Sequence, residues 1–282
     1  MLFSHSKFFA GVIFLIAFSF TANAQYFYKD IWINQQQIKE FAILKNENIR
    51  TVAVKSFEDD GEPSEDFFCE RKIDKNFTKS ETVTRSIITQ QSLLASYYNE
   101  KGWIMKTVDS TQTSLARVEY NYDNKGRITM VTNFVKANDE NGGITETHQY
   151  VYNAAGKPEK MIRRKNNVEI STVNFTTDDK GNIIDEEEIK RGVKGKKYLY
   201  YYDDKNRLTD VVHYNERAKR LLPDYMYEYN QLGQIKQMTS TEDNISNYYV
   251  WKYTYNDRRL RESEKCFSKE RRLLGSVQYE YK

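Results

Sequence analysis

A nine-residue stretch at 120–128, YNYDNKGRI, constrains the fold more than any other part of the sequence, because variants of it recur along the chain. The spacing of roughly 25 residues is typical of repeat architectures, in which each unit is one small supersecondary structure. Aligned on the residue that precedes the acid or amide, the copies fall at Phe57, Tyr98, Tyr122, Tyr152, Thr177, Tyr202, Tyr229, Tyr255 and Tyr281.

Each copy has the pattern of a β-hairpin. Alternate aromatic residues, such as Tyr120 and Tyr122, fall on one face of a strand because strand side chains have a period of two. An Asp or Asn then starts a turn, and the residue four positions after the tyrosine takes the positive φ that favours glycine. The structural turn residues predicted by this rule are Gly102, Gly126, Gly156, Gly181, Asn206 and Gly233. A second alternating strand follows each turn.

Short connections between the units predict an all-β antiparallel meander of hairpins, since parallel pairing would need long crossovers. We expect an elongated, twisted or curled sheet formed by residues 96–282. Residues 25–95 form an N-terminal segment with a short helix over 30–44 and degenerate repeat strands. The copy at Tyr255 has no glycine, so we expect a shorter, irregular turn near Arg258. Tyr281 ends an unfinished hairpin, whose edge can pair with another chain or with the N-terminal strand.

Residues 1–24 have the features of a secretory signal peptide: Lys7, an apolar run from Phe8 to Phe20, and small residues at 22–24. We therefore expect an exported protein that is periplasmic, extracellular or at the cell surface. The formal net charge is only +3, and charges of both signs alternate. This pattern offers no basic footprint for nucleic acid.

The pattern YxYDxxGRL resembles the YD repeat of the RHS family. It stands as YNYDNKGRI at 120–128, YVYNAAGKP at 150–158, YYYDDKNRL at 200–208 and YEYNQLGQI at 227–235. The resemblance implies secreted or surface-exposed β-structure, which encloses a toxin in larger members and supports adhesion in some animal relatives. This chain departs from that family because it has no recognisable toxin domain and is too short for the large closed shell. The toxin-delivery role is therefore not carried over.

Residues with metal or catalytic chemistry are sparse. His148 and His213 lie in different units without zinc-ligand spacing, so we expect neither a metal nor a cofactor. Acidic pairs such as 59–60 and 203–204 occupy turn positions, where backbone bonding explains them. Cys69 and Cys266 lie near opposite ends of the array and are expected to be unpaired, buried thiols; a bond between them would require the sheet to close.

Most of the tyrosines are expected in the core, leaving a few aromatic residues as candidates for binding sugar rings or a partner surface. These candidates are Trp103, Trp251, Tyr248 and Tyr249. We therefore expect a non-enzymatic binding or scaffolding module at the cell envelope, with a glycan or protein ligand. Two alternatives stay open: a hydrolase acting on envelope polymers, which would need carboxylates outside the turns, and an accessory partner of a larger RHS-type protein.

Overall fold

The computed structural model describes residues 26–87, 90–139, 142–241 and 247–282. The predicted signal peptide lies outside the described residues. Among these residues a single helix, α1 (Lys29–Asn46), precedes 18 strands, which confirms the predicted N-terminal helix. The strands are β1 (Thr51–Phe57), β2 (Phe68–Ile73), β3 (Lys79–Ser86), β4 (Gln90–Tyr98), β5 (Ile104–Ser110), β6 (Ser114–Tyr122), β7 (Ile128–Ala137), β8 (Ile144–Tyr152), β9 (Pro158–Lys165), β10 (Val168–Thr177), β11 (Ile183–Lys190), β12 (Val193–Tyr202), β13 (Leu208–Asn215), β14 (Arg220–Tyr229), β15 (Ile235–Thr241), β16 (Tyr248–Tyr255), β17 (Arg261–Ser268) and β18 (Leu273–Tyr281).

The strands form an antiparallel meander that closes into an 18-stranded barrel. The expected antiparallel meander is confirmed, but the expectation of an elongated, twisted or curled sheet was wrong because the sheet closes on itself. Strand β1 pairs with β2 on one side and with β18 on the other, and Val52 stands opposite Tyr281. The main chains of Thr51 and Lys282 exchange two hydrogen bonds of 2.8 and 2.9 Å. Strand β1 thus supplies the missing half of the last hairpin, and the edge at Tyr281 is occupied.

Closure of the barrel does not bring the two cysteines together. Cys69 lies on β2 and Cys266 on β17, with β1 and β18 between them. Three inter-strand spacings of about 4.8 Å exceed the Cα separation that a disulfide tolerates. Both thiols are buried and free, as the sequence predicts, although the open sheet on which that expectation partly rested is not the observed fold.

The turns of the repeats lie together at one end of the barrel, which we call the turn rim. In the turn after β6, the amide of Gly126 donates to the carbonyl of Asp123 at 3.0 Å, and the amide of Asp123 donates to the carbonyl of Arg127 at 3.0 Å. The same pair of bonds recurs in the turns that follow β4, β8, β10, β12, β14 and β16. Positive φ values occur at each of the six predicted turn residues, namely Gly102, Gly126, Gly156, Gly181, Asn206 and Gly233.

The first copy of the motif lies elsewhere than the sequence indicated. The turn after Phe57 connects β1 to β2 and therefore lies at the opposite end of the barrel from the turn rim. The copy in register begins at Ile73, 25 residues before Tyr98. In its turn, the amide of Asp74 donates to the carbonyl of Lys79, and Phe77 has a φ of 57°. Aromatic and glycine spacing alone could not find it, because isoleucine replaces the tyrosine and phenylalanine replaces the glycine.

The turn without glycine is regular, not shortened. The amide of Arg259 donates to the carbonyl of Asn256 at 2.9 Å, and Tyr255 stands opposite Arg261 just as Tyr122 stands opposite Ile128. Arg259 therefore occupies the glycine position, with a φ of 63°. The expected irregularity was wrong because the hydrogen bonds of the turn hold a non-glycine residue in the left-handed conformation.

Paired tyrosines point into the barrel and link each hairpin to the one before it. The first tyrosine is buried in the pairs that begin at 120, 150, 200 and 227 and half-buried in those that begin at 253 and 279, and the second is half-buried in all of them. The hydroxyl of Tyr122 donates to the carbonyl of Ile104 at 2.7 Å, and that of Tyr152 donates to the carbonyl of Ile128 at 2.7 Å. Equivalent bonds join Tyr202 to Ile183, Tyr229 to Leu208, Tyr255 to Ile235 and Tyr281 to Arg261. The motif thus connects neighbouring units as well as forming each one.

Helix α1 lies inside the mouth of the barrel at the turn rim. Phe41 stacks on Tyr98 with 3.6 Å between ring centroids, and Asn34 donates to the hydroxyl of Tyr122 at 2.7 Å. The opposite, outer face of the sheet carries charged side chains in cross-strand pairs, such as Glu187 with Lys194. Within the described part of the chain, no helix is both long and apolar enough to cross a membrane.

Candidate functional site

A cleft of about 360 Å³ lies between the first half of α1 and the turn rim. We call it the rim cleft. Its volume falls within the range that suits small-molecule sites. The residues that line it are Tyr28, Ile31, Trp32, Asn34, Gln35, Gln36, Lys39, Gly126, Arg127, Ile128, Tyr152, Gly156, Pro158, Gly181, Asn182, Ile183, Tyr202, Asn206, Arg207, Leu208, Tyr229 and Gly233.

One side of α1 forms the helical wall of the rim cleft. Tyr28, Trp32, Gln35, Gln36 and Lys39 recur at spacings of three and four residues, which places them on the same helix face. The Trp32 ring packs on Tyr227 with 4.8 Å between centroids, which fixes its position at the base of this wall. The wall is therefore aromatic toward the N-terminal end of the helix and carries amide groups and an ammonium group farther along.

The opposite wall is formed by successive hairpin turns. Because the turn positions at 126, 156, 181 and 233 are glycine, this wall presents main chain over much of its length. Gly126 also lacks room for a side chain, since an added Cβ would lie 2.7 Å from the Trp103 ring. Each turn is bonded to the next; for example, the guanidinium of Arg127 donates to the carbonyl of Gly156 at 2.9 Å. The rim wall is thus a connected row of turns.

The arginines of the rim wall are paired with the acids of their own turns. Arg127 donates through Nε to Asp123 at 2.7 Å, and Arg207 donates in the same way to Asp203 at 2.7 Å. Each guanidinium also lies over a tyrosine ring of the following hairpin. The main-chain amide of Arg127, followed by its side chain, holds the pKa of Asp123 below its usual value. These arginines are consequently held in fixed positions.

The charged residues that line the rim cleft are all basic. Lys39, Arg127 and Arg207 are among the lining residues, which include neither Asp nor Glu. Lys39 is exposed, and in the part of the chain that the structure describes it has no carboxylate partner. The cleft therefore combines aromatic rings, neutral amides and one unpaired ammonium group.

A buried polar cluster behind the helical wall fixes the start of α1. We call it the interior anchor; it comprises Asp30, Glu146, His148, Arg163 and Glu186. The two oxygens of Glu186 accept the main-chain amides of Phe27 and Tyr28 at 2.6 and 2.8 Å. The His148 ring bonds Asp30 at 2.5 Å through Nδ1 and Glu146 at 2.9 Å through Nε2. These contacts hold the segment that contributes Tyr28 and Ile31 to the rim cleft.

Burial and pairing shift the pKa values of the interior anchor in different directions. Burial raises the pKa of Glu186 to about 7, against the opposing effect of its two amide donors. Burial also lowers the pKa of His148, but Asp30 and Glu146 outweigh it and bring the value to about 9. Burial raises the pKa of Glu146, whereas His148 and Arg163 together lower it to about 2. The anchor is thus a structural cluster whose strength depends on pH.

The four aromatic residues singled out from the sequence do not form a site together. Trp251 is buried inside the barrel, and Trp103 packs across Gly126 and near Tyr122. Tyr248 is exposed on the outer face, whereas Tyr249 points inward and is half-buried. None of the four lines the rim cleft.

The sequence reading missed the residues of α1 that do line the rim cleft, including Trp32, Gln35, Gln36 and Lys39. The available signal was the run of three glutamines at 35–37, which begins three residues after a tryptophan on a predicted helix. Among the described residues, no group of three or more His, Cys, Asp or Glu side chains is arranged to hold a metal ion.

No protein-family model matches the chain, and no curated protein matches it either. Among solved structures, the chain is similar to the crystal structure of TcdB2-TccC3-TEV, with 11% identity over 76% of this chain and a TM-score of 0.33. It spans only 12% of that chain. A porin-like protein from Bacteroides uniformis ATCC 8492 is 8% identical, with 83% of this chain and 98% of that chain covered and a TM-score of 0.38. A porin-like protein from Bacteroides vulgatus ATCC 8482 is 10% identical over the same shares, with a TM-score of 0.29. These likenesses are distant, so membership of the YD-repeat family stays a prediction from the motif.

Proposed function

We propose that this protein is an exported binding module of the cell envelope and that it holds a saccharide in the rim cleft. The observation that carries the proposal is the combination of aromatic rings and neutral amides on facing walls of one cleft. Export is supported by the leader-like sequence at 1–24. In this proposal the barrel is the rigid support, and the helix and turns provide the contacts.

The chemistry of the lining favours a saccharide. The flat apolar face of a sugar ring can pack against an aromatic ring such as Trp32, whereas its hydroxyl groups require donors and acceptors at the side. Gln35 and Gln36 supply amides that can donate and accept at once. The Asn182 side-chain nitrogen donates to Asp178 and to the Asn206 oxygen, so Asn182 offers mainly its oxygen and Asn206 mainly its NH₂ group. A lining of this kind satisfies a ligand that has both an apolar face and a polar edge.

The same lining favours binding over carboxylate-based hydrolysis. Glycoside hydrolysis generally uses two carboxyl groups on either side of the scissile bond. Carboxylates outside the turns do occur, but Asp30, Glu146 and Glu186 belong to the interior anchor, where they bond His148, Arg163 and main-chain amides. We therefore propose no hydrolase, and the role as a partner of a larger RHS-type protein stays a prediction from the motif.

Saccharide binding can be tested with a glycan array followed by calorimetric titration of the hits. We expect Trp32→Ala to weaken binding by about tenfold or more. Stacking of a nucleic-acid base on an aromatic side chain is worth roughly 1–3 kcal/mol, and we take a contribution of the same order for a sugar ring. Gln36→Ala, a milder change in the same wall, is expected to weaken binding without disturbing the packing on Tyr227.

Tyr248→Ala is the matched control because this aromatic residue is exposed on the outer face, away from the rim cleft. Its affinity for the same saccharide should equal that of the unmodified protein. Circular dichroism establishes that each variant has folded. The proposal is wrong if the array finds no saccharide, or if folded Trp32→Ala and Gln36→Ala variants both bind as tightly as the unmodified protein.

A further inference from the structure

We infer that the saccharide of the rim cleft is anionic, and that Lys39 binds its carboxylate, sulfate or phosphate group. The inference rests on the proposed saccharide-binding function and specifies the class of ligand. It starts from the charges of the lining, where Lys39, Arg127 and Arg207 stand without any acidic residue. Because Asp123 and Asp203 pair with the two arginines, the local excess of positive charge in the cleft rests on Lys39.

The three cations are not equivalent. Arg127 and Arg207 each form an ion pair with the aspartate of their own turn, at 2.6 and 2.5 Å. Their remaining donors reach the carbonyls of Gly156 and Asn230 in the following turns. These two guanidinium groups therefore act mainly as structural links along the rim wall, and their charges are largely offset by Asp123 and Asp203.

Lys39 differs because no carboxylate among the described residues forms an ion pair with it. The adjacent acid on the helix, Glu40, lies 4.0 Å from the guanidinium of Arg71, on the side away from the rim cleft. Across the cleft, the facing turns present glycine and asparagine at 156, 181 and 206. The carboxylates of these turns, Asp123, Asp178 and Asp203, are bonded to Arg127, Asn182 and Arg207. Lys39 is therefore the cation that an acidic group of a ligand lying along the aromatic part of the wall can meet.

The neighbouring groups suit the rest of an acidic sugar. Gln35 and Gln36 lie on the same helix face as Lys39 and can bond ring hydroxyls, while Trp32 lies one to two turns back along the helix. A charge-assisted hydrogen bond from the ammonium to an anion is stronger than a bond between neutral groups. The arrangement therefore predicts preference for acidic over neutral sugars of similar size.

The inference can be tested by calorimetry with oligogalacturonates as the anionic probe and neutral galactose oligomers of equal length as the reference. We expect about tenfold tighter binding of the anionic probe, and a loss of that preference on raising NaCl from about 50 to about 500 mM. Lys39→Gln should reduce the ratio of the two affinities about tenfold, Lys39→Glu should invert it, and Lys39→Arg should retain most of it.

Lys265→Gln is the matched control, because Lys265 is an exposed lysine on the outer face of β17. It should leave the ratio unchanged. If the neutral oligomer binds as well as the anionic one, or if Lys39→Gln leaves the ratio unchanged, the inference is wrong while the saccharide-binding function stands. If no glycan on the array and neither oligomer binds, the proposed function fails, and the inference fails with it.

Discussion

At the fourth position of each turn in the turn rim, the backbone has a positive φ whatever residue stands there. Glycine adopts this conformation freely, and asparagine at 206 tolerates it better than other residues with a side chain. Phe77 and Arg259 hold the same conformation, with φ values of 57° and 63°, in spite of the contact between Cβ and the following carbonyl. These two turns thus have strained residues that their hydrogen bonds keep in place.

Replacing Arg259 with glycine should stabilise the protein. Glycine removes a left-handed strain of about 1–2 kcal/mol, while the greater freedom of the unfolded chain offsets up to about 1 kcal/mol, so we expect a net gain of about 0.5–1 kcal/mol. The side-chain amide of Gln234 donates to the main-chain carbonyl of Arg259, so this bond survives the change. Urea unfolding measures the effect.

Gly126→Ala is the opposite change at the equivalent position, and it should destabilise by more than about 1 kcal/mol. In addition to the strain, its Cβ would lie 2.7 Å from Trp103. An Arg259→Gly variant with a lower free energy of unfolding than the unmodified protein would contradict the assignment of strain to this turn.

At the scale of elements, helix α1 depends on the interior anchor for its position in the barrel. Residues 26–30 enter the barrel between tyrosines of β8 and β12, and the side-chain oxygens of Glu186 accept two of their main-chain amides. The charged groups around this segment are Lys29, Asp30, Glu146, His148 and Arg163. Because several of them titrate, the attachment of the helix should vary with pH.

We expect the stability contributed by the interior anchor to fall as the pH rises from about 4.5 to about 9. The pKa of Glu186 is raised from 4.5 to about 7, so its neutral form stabilises the fold below pH 4.5, and this effect is lost as the pH rises through 7. The pKa of His148 is raised from 6.5 to about 9, so its effect is present below pH 6.5 and is lost as the pH rises through 9. Each of these two pKa shifts corresponds to a change of roughly 3 kcal/mol in the free energy of unfolding across its pH range.

The pH ranges in which Glu186 and His148 affect stability can be separated by substitution. Glu186→Gln should remove the decline between pH 4.5 and 7, and His148→Asn should remove the decline between pH 6.5 and 9. Urea unfolding followed by tryptophan fluorescence at a series of pH values provides the measurement. Below pH 4.5 the free energy of unfolding should instead fall as the pH falls. The pKa of Glu146 is lowered to about 2, so its stabilising negative charge is lost in this range. Equal slopes in all three proteins would show that the anchor does not control stability.

At the scale of the whole molecule, the barrel is closed by one pair of strands that no turn connects. Strands β1 and β18 are joined by main-chain hydrogen bonds and by contacts such as the ion pair between Lys55 and Glu280, which are 225 residues apart. All the other neighbouring strands follow one another along the chain. Opening of this pair would expose two unpaired strand edges at once.

A disulfide across this pair should therefore stabilise the protein. Lys55 and Gln278 stand directly opposite each other, and both are exposed. Oxidation of a Lys55→Cys, Gln278→Cys variant should raise the free energy of unfolding by about 2–4 kcal/mol relative to its reduced form, because the bond removes a very long loop from the unfolded chain. Chemical unfolding of the oxidised and reduced forms checks this prediction.

Glu119→Cys, Thr132→Cys offers a matched control, since these residues are opposite each other within the continuous hairpin of β6 and β7. This disulfide closes a shorter loop, so its oxidation should raise the free energy of unfolding by less. Two results would contradict the observed pairing of β1 with β18. The first pair could fail to oxidise in the folded protein, or the oxidised form could have a lower free energy of unfolding than the reduced form.

The sequence by itself determined the hairpins, because the contacts that form one lie within a few residues. Tyr122, Asp123 and Gly126 make the strand end, the turn bond and the positive φ within one short segment, so their pattern predicts the turn, the inward face and the repeat. The helix is predictable for the same reason, within one residue of its start and two of its end. The copy at Ile73 was missed because its turn uses residues that the pattern disfavours.

Only the tertiary structure decided that the sheet closes and where a cleft forms. Pairing of β1 with β18 depends on the accumulated twist of all the strands between them, which no local pattern records. The rim cleft likewise arises because Glu186 and His148 hold the start of α1 against hairpins more than 100 residues away. Trp32 and Lys39 therefore became candidate site residues through the position of their helix in the barrel, although their own segment was correctly predicted as helical.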